Sequence, residues 1–346
     1  MNFFKSILNL KEKSKEVIFE KTINSFNVPE NYKIQHEKMF VEEHFVAKVN
    51  QIALLKYKNV IVSNTIIFKG LFFSEKSSFH TQNNSGTNFS KYIKSFFKTI
   101  LKRKQIFKNA FLGSQDWGDN FYHFTLELLP NLVNFHKRYP DVPILMPLNY
   151  KSKSFITSYL SIVGIKPTYY NVNNVLKVEN LFAIEVPKVG IFNKFNILNL
   201  KNNIELESLS INYKEPFRKV YLSRTKANRR RIINEPELVN LLSKFDFEIY
   251  FAEDLELSSL IRILSETKFL ISNHGAGLSN ILHLQPNQTI LELKSDNDNY
   301  WMYFSLSRIL DHKYYYLFDK GDSINYRDSN IEVDINQLES LIKDIV

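Results

Sequence analysis

The sequence predicts an α/β fold in two halves, and three observations carry that prediction. From about residue 119, short β-branched or apolar runs alternate with helix-length amphipathic stretches. Strands separated by helices of roughly ten residues imply parallel sheets covered by helices on both faces. A linker at Asn212 to Arg218, with Pro216 and mixed charge, splits the alternation into two series. At 346 residues, the chain is also longer than the roughly 150 typical of one domain. Two domains follow, 1–212 and 213–346, and ligands of such sheets sit at the strands' carboxyl ends.

The first third is the least regular. Residues 1–25 mix apolar and basic side chains and suggest a surface helix. Val60-Ile61-Val62 and Thr65-Ile66-Ile67-Phe68 flank a polar break and read as a hairpin. A polar loop is expected from His80 to Ser90. Across 91–108, Ile93, Phe96, Phe97, Ile100 and Leu101 recur at helical spacing, beside seven Lys/Arg and no acid.

In the first regular series, Asn120 to His136 reads as a helix that Pro130 kinks or breaks. Strand Ile144 to Met146, helix Ser152 to Val163, strand Leu181 to Ile184 and helix Phe195 to Leu209 follow. The second series has strands at Lys219 to Ser223, Phe247 to Phe251, Phe269 to Ser272, Thr289 to Leu293 and Tyr314 to Leu317. Its helices are Pro236 to Lys244, Ser258 to Glu266, a short one after Gly277, Trp301 to Leu310 and Ile335 to Ile345.

Composition narrows the classes. The chain has no cysteine, which excludes disulfides, thiolate metal sites and cysteine nucleophiles and fits a reducing compartment. No apolar run approaches the roughly 20 residues of a membrane span, and the first ten residues lack the apolar core of a secretory signal. A cytoplasmic location is expected. A net charge of +9 points to an anionic partner: nucleic acid, phosphorylated substrate or acidic membrane.

Three segments can carry chemistry. Phe269 to Asn280 runs a buried strand into His274-Gly275-Ala276-Gly277 and a helix. Glycines at such a turn let backbone approach a ligand, and free amides at the helix start attract anions. His274 can add a hydrogen bond or a charge there, or it can be a satisfied histidine in a tight turn.

Val220 to Arg231 ends a strand in Ser223-Arg224 and continues as a basic loop with Arg229, Arg230 and Arg231. Arginine at a strand's carboxyl end suits bidentate contact with a diphosphate, against the alternative of a solvated charge run. Asn234-Glu235-Pro236-Glu237 reads as an N-cap with a capping box.

In the third segment, His123 and Glu127 stand four apart on one helical face. Either can accept a proton from an acceptor hydroxyl, or the pair can simply stabilise the helix. Glu292, near a strand end, can receive ribose hydroxyls or face solvent. Asp296-Asn297-Asp298 resembles a metal-holding Asp-x-Asp, but its place in a polar loop favours a turn.

Together these motifs resemble glycosyltransferase family 61, which includes capsular-polysaccharide enzymes. Asn120 to Pro130 looks like the family's first signature: aromatic residues, His, an acid four places on, then Leu-Pro. Ser223 to Glu235 looks like the second, with Ala227, Arg230, Arg231, Asn234 and Glu235 in register. His274 to Asn280 plus Glu292-Leu293 look like the third. The resemblance spans about residues 115–317, and the first 110 residues match no family pattern.

The resemblance implies a GT-B-like architecture, two Rossmann-like domains facing across a cleft. It also implies an inverting, metal-independent glycosyltransferase with a UDP-type nucleotide-sugar donor and a glycan or lipid-linked glycan acceptor. Such an enzyme serves capsular, surface-polysaccharide or lipopolysaccharide synthesis. No cofactor beyond the donor is expected. Carried onto this chain, the donor site comprises Ser223, Arg224, Arg230, His274, Gly275, Ala276, Gly277, Asn280 and Glu292. Glu127, then His123, is the expected base.

Two rivals belong to other classes. Basic and aromatic residues together can bind single-stranded nucleic acid, although here the bases are split between 91–108 and 224–231. The basic, Phe/Ile-striped helix at 91–108 also fits an interfacial anchor on the inner face of a membrane, as readily as a core-packed helix with a solvated lysine face.

Overall fold

The computed structural model describes residues 13–63, 66–69, 73–76, 89–185, 189–207, 215–325 and 328–346. The expected loop over 80–88, the first twelve residues of the expected surface helix and the linker through 214 lie outside them.

The strands in chain order are β1 (Lys13–Phe19), β2 (Thr22–Ser25), β3 (Val46–Val49), β4 (Ile52–Ser63) and β5 (Ile66–Lys69). Next come β6 (Phe73–Lys76), β7 (Lys104–Leu112), β8 (Ile144–Pro147), β9 (Thr168–Tyr170) and β10 (Val175–Glu185). The last five are β11 (Arg218–Leu222), β12 (Phe247–Tyr250), β13 (Thr267–Asn273), β14 (Thr289–Ser295) and β15 (Lys313–Asp319). The helices are α1 (Glu42–Phe45), α2 (Phe89–Leu101), α3 (Phe121–His123), α4 (Leu129–Arg138) and α5 (Ser154–Ile162). They continue with α6 (Lys194–Glu207), α7 (Glu235–Ser243), α8 (Leu257–Ser265), α9 (Met302–Ile309) and α10 (Ile335–Ile345).

Contacts group the chain into two compact units, residues 1–23 with 48–207 and residues 24–47 with 208–346. The sequence places 24–47 in the amino-terminal half. Their aromatic and polar side chains instead cover the second unit: Phe40 stacks on Trp301 at 3.9 Å, and the Asn31 side-chain amide donates to the Tyr316 carbonyl.

The first unit holds a mixed sheet ordered β6-β5-β4-β10-β7-β8-β9, with β1 also on β4. Only β10, β7, β8 and β9 run parallel to one another, and β10 is antiparallel to β4, so the expectation of a wholly parallel sheet fails here. The hairpin forms, with Ile61 opposite Phe68 and Ser63 opposite Ile66.

Two expected helices are corrected. Residues 13–19 and 22–25 are strands, because the edge of β4 offers β1 a ladder from Lys13–Tyr57 to Phe19–Ile52. Backbone pairing of this kind overrides weak local preference. The helix expected over 91–108 ends at Leu101, and 104–112 become β7 between β10 and β8.

The second unit is a five-stranded parallel sheet ordered β12-β11-β13-β14-β15. Counting within the unit, that is 2-1-3-4-5. Both faces are covered, so β13 and β14 are almost continuously buried. One face packs Tyr221, Ile271, Leu291 and Leu317 against Leu238 and Leu242 of α7 and Leu338 and Ile342 of α10. In a 2-1-3-4-5 sheet the connections diverge between strands 1 and 3, and ligands bind at that switch point. Here the switch lies between the carboxyl ends of β11 and β13.

Candidate functional site

Arg224 follows β11 and His274-Gly275 follow β13, so the switch point brings the second and third motifs together. The Arg224 guanidinium lies against Gly275, where an added Cβ would overlap it. Gly275 has φ 161°, extended backbone open to any residue, so close approach alone requires glycine. At Gly277 an added Cβ meets nothing within 4 Å, which leaves open space beside the turn.

Neither Arg224 nor Arg230 forms an ion pair among the described residues, and the Nε of each is buried without a hydrogen-bond partner among them. Burial and the nearby Arg230 charge lower the Arg224 pKa. Arg230 adopts φ 55°, a left-handed conformation rare for a residue with a side chain. Its carbonyl is held there by the Asn273 side-chain amide. Two half-buried arginines whose Nε atoms lack acceptors are suited to an anion. The rest of the basic loop is spent differently, since Lys226 pairs with Asp254 and Arg229 with Asp328 at 2.9 Å.

Ser223 is a support. Its hydroxyl donates to Glu235 at 2.6 Å, and Tyr221 donates to the same carboxylate oxygen at 2.8 Å. Glu235 thus ties the end of β11 to the start of α7 and fixes where Arg224 emerges. The expected Asn234 cap is absent: its side chain exchanges two 2.9 Å hydrogen bonds with Val333 and makes no cap bond.

His274 is buried, with Nδ1 on Glu292 and 3.4 Å from Asp298 Oδ2. Burial pushes the His274 pKa down, Lys294 adds to this, and the two carboxylates oppose it. Burial would raise the Glu292 pKa, but Lys294 and His274 outweigh it and hold the group ionised. An ionised carboxylate only accepts, so Nδ1 carries the proton and a neutral ring presents Nε2 as an acceptor. Of the two roles open to it from sequence, the imidazole is therefore suited to a hydrogen bond with a hydroxyl and not to a positive charge.

Glu292 itself is fully buried and accepts from Tyr314 as well, so its oxygens face inward and not toward a ribose. Lys294 completes the cluster, 3.8 Å from Glu292 and 3.7 Å from Asp298, with its ammonium over Trp301.

Asn280 is likewise turned inward, its amide donating to the Gly277 carbonyl at 2.8 Å. Ala276 opens a 3-10 helix, Ala276–His283, where a short helix was expected after Gly277. Asp296 accepts from the Gly321 N–H and Asp298 from the Tyr300 N–H, which makes the Asp-Asn-Asp run a turn. A pocket beside these groups is lined by Arg230, Asn273, His274, Ser295, Asp298 and Ser329.

The first unit carries the other motif. Asn120 caps α3 by accepting the Tyr122 N–H at 3.0 Å. After His123 the helix widens to a π turn over Phe124–Leu128, with the Leu129 N–H reaching back to Phe124. Pro130 explains it, having no N–H and a ring that would meet the carbonyl four residues back in a regular helix. Glu127 sits in this turn.

His123 Nδ1 and Glu127 Oε2 are 2.7 Å apart, with side chains 18% and 8% exposed. Gln115 donates to the same Glu127 oxygen and to the His123 carbonyl, both at 3.3 Å. Trp117, in a left-handed conformation at φ 60°, lies against the imidazole at 5.4 Å. Sequence spacing found the dyad. It could not find Gln115, Trp117, Asn273 or Lys294, which belong to no periodic pattern and meet the motifs only through the fold.

Among the described residues, no helix is long and apolar enough to cross a membrane. The family model for glycosyltransferase 61 matches residues 121–291, running from α3 into β14. One curated relative, the EGF domain-specific O-linked N-acetylglucosamine transferase of Drosophila melanogaster, is 36% identical over 99 residues. The match covers 27% of this chain and 19% of the relative, so the chain spans about a fifth of that protein. It is over residues 121–291, just under half of its length, that the chain is similar to glycosyltransferase family 61.

Proposed function

We propose that the protein is a glycosyltransferase that moves a sugar from a nucleotide-sugar donor to a hydroxyl of a glycan acceptor, with inversion and without a required metal. The observation that carries this reading is the pair Arg224 and Arg230, two cationic side chains with buried, unpartnered Nε atoms at the sheet's switch point. As the bond from anomeric carbon to phosphate oxygen breaks, negative charge grows on the departing nucleotide diphosphate. Fixed guanidiniums and the turn amides of Gly275 to Gly277 stabilise that charge in place of an ion.

Neutral His274 accepts a donor hydroxyl, and Glu292 is reassigned from ribose ligand to the group that holds the imidazole. On the acceptor side we reverse the expected order of the dyad. Glu127 accepts a hydrogen bond from Nδ1–H of His123, which leaves Nε2 unprotonated to take the acceptor's proton as its oxygen attacks. One displacement at the face opposite the leaving group inverts the anomeric centre. The reading carries with it the GT-B class, a UDP-type donor and a role in surface-polysaccharide synthesis that the resemblance implies.

The test is a panel of nucleotide sugars assayed for thermal stabilisation, slow hydrolysis and transfer, with and without a chelator. A stabilising donor that is turned over in chelator supports the reading. Arg224→Ala with near-normal turnover on that donor would remove the anion site from the mechanism.

A further inference from the structure

Helix α2 packs in an inverted sense. Its small polar residues Ser95 and Thr99 are 0% and 8% exposed, whereas Phe97, Ile100 and Leu101 are 55%, 55% and 76% exposed. The buried Thr99 hydroxyl donates to the Phe96 carbonyl at 2.7 Å, so the helix satisfies it without a partner from the sheet. Phe96 turns inward beside Phe68 of β5. The outward residues stand at i, i+3 and i+4, one contiguous stripe opposite the buried face. A helix that served only to cover the sheet would point these side chains the other way.

Charge indicates what that stripe meets. Residues 89–110 contain seven Lys/Arg and no Asp or Glu. Lys94 flanks the stripe, and Lys102, Arg103, Lys104 and Lys108 follow it; all five are exposed and form no ion pair among the described residues. Ile106, 76% exposed on β7, extends the apolar surface past the helix end. Aromatic and aliphatic side chains facing out amid lysines suit the boundary between acyl chains and anionic headgroups, where each basic residue adds attraction.

We propose that α2 and the start of β7 dock the protein on a membrane surface rich in anionic lipid, with Phe97, Ile100 and Leu101 inserted and the basic residues at the headgroups. The proposal is independent of which donor the enzyme uses.

The experiment sediments the full chain with neutral phosphatidylcholine vesicles and with vesicles carrying about 30% phosphatidylglycerol, which should bind about tenfold more tightly. A Phe97→Ser/Ile100→Ser/Leu101→Ser variant should lose about tenfold on the anionic vesicles at unchanged thermal stability, as should Lys94→Glu/Lys102→Glu. Equal binding to both vesicles overturns the proposal, as does full binding by the triple variant. So does a stripe that acts through RNA binding or self-association: the triple variant would then lose RNA affinity or become monomeric while its vesicle binding stayed unchanged.

Discussion

The guanidinium of Arg224 occupies the space that a side chain at Gly275 would fill. The glycine is therefore kept by Arg224, eleven positions ahead of the start of helix α7, and not by its own backbone angles. Because the displaced atoms belong to the end of a flexible side chain, Gly275→Ala should cost little stability. It should weaken nucleotide binding by about tenfold or more, the scale of one charge-assisted hydrogen bond. Calorimetric titration with the donor nucleotide, beside a melting curve, checks both halves.

Replacing the arginines should separate stability from activity. Burial and the nearby Arg230 charge disfavour charge on Arg224. Arg224→Gln should leave the melting temperature equal or higher while transfer falls about a hundred- to thousandfold. A variant that loses both together would mark Arg224 as structural.

The dyad makes an ordered prediction. With His123 as base, His123→Ala should reduce kcat by about a hundredfold or more. Glu127→Gln keeps an acceptor for the Nδ1 proton and should lose less. Gln115→Ala removes a donor to Glu127 and should fall between Glu127→Gln and wild type. Steady-state kinetics with one acceptor gives the ranking, and a Glu127→Gln loss exceeding that of His123→Ala restores the carboxylate as the base.

Much of this was legible beforehand. The strand-helix alternation after residue 119 placed every strand of the five-stranded parallel sheet, because parallel strands buried on both faces are short apolar runs. The motif residues Arg224, His274 and Glu292 stood out by position at strand ends. What sequence could not show was direction: Glu292 looks inward to His274 and Tyr314, and Asn280 folds onto Gly277. Nor could it reveal β1 or β7, whose residues pair with strands far along the chain. The stripe of α2 was visible, but its periodicity carries no sign, and only packing shows that Ser95 and Thr99 face in.

Acid should unfold the second unit early. His274 is held below its ordinary value of 6.5, so the unfolded chain takes up that proton first as pH falls. Glu292, held below 4.5, acts in the same sense at lower pH. Both make the unfolded state bind more protons, so stability is present above about pH 6.5 and is lost on acidification. Melting temperatures over a pH series should show this slope, and His274→Gln should flatten its upper part.

Asp319 works in the opposite direction. Burial first, with Asp334 and Asp296 adding, raises its pKa from 3.8 to about 6, against a hydrogen bond from the Asp334 N–H. Between those values the folded state keeps a proton that the unfolded chain has released, so its contribution to stability declines as pH rises. Asp319→Asn should raise the melting temperature at about pH 7.5 and have little effect near pH 4.5, as differential scanning fluorimetry at the two pH values can check.

Residues 24–47 are made long before the strands they enclose, yet Phe40, Asn31 and His36 pack on Trp301 and Tyr316 near the far end of the chain. The second unit is thus no severable cassette. A fragment begun at the interdomain linker would bare an aromatic surface that its missing belt normally hides. During synthesis, that belt must wait until nearly the whole polypeptide has appeared before it finds its seat.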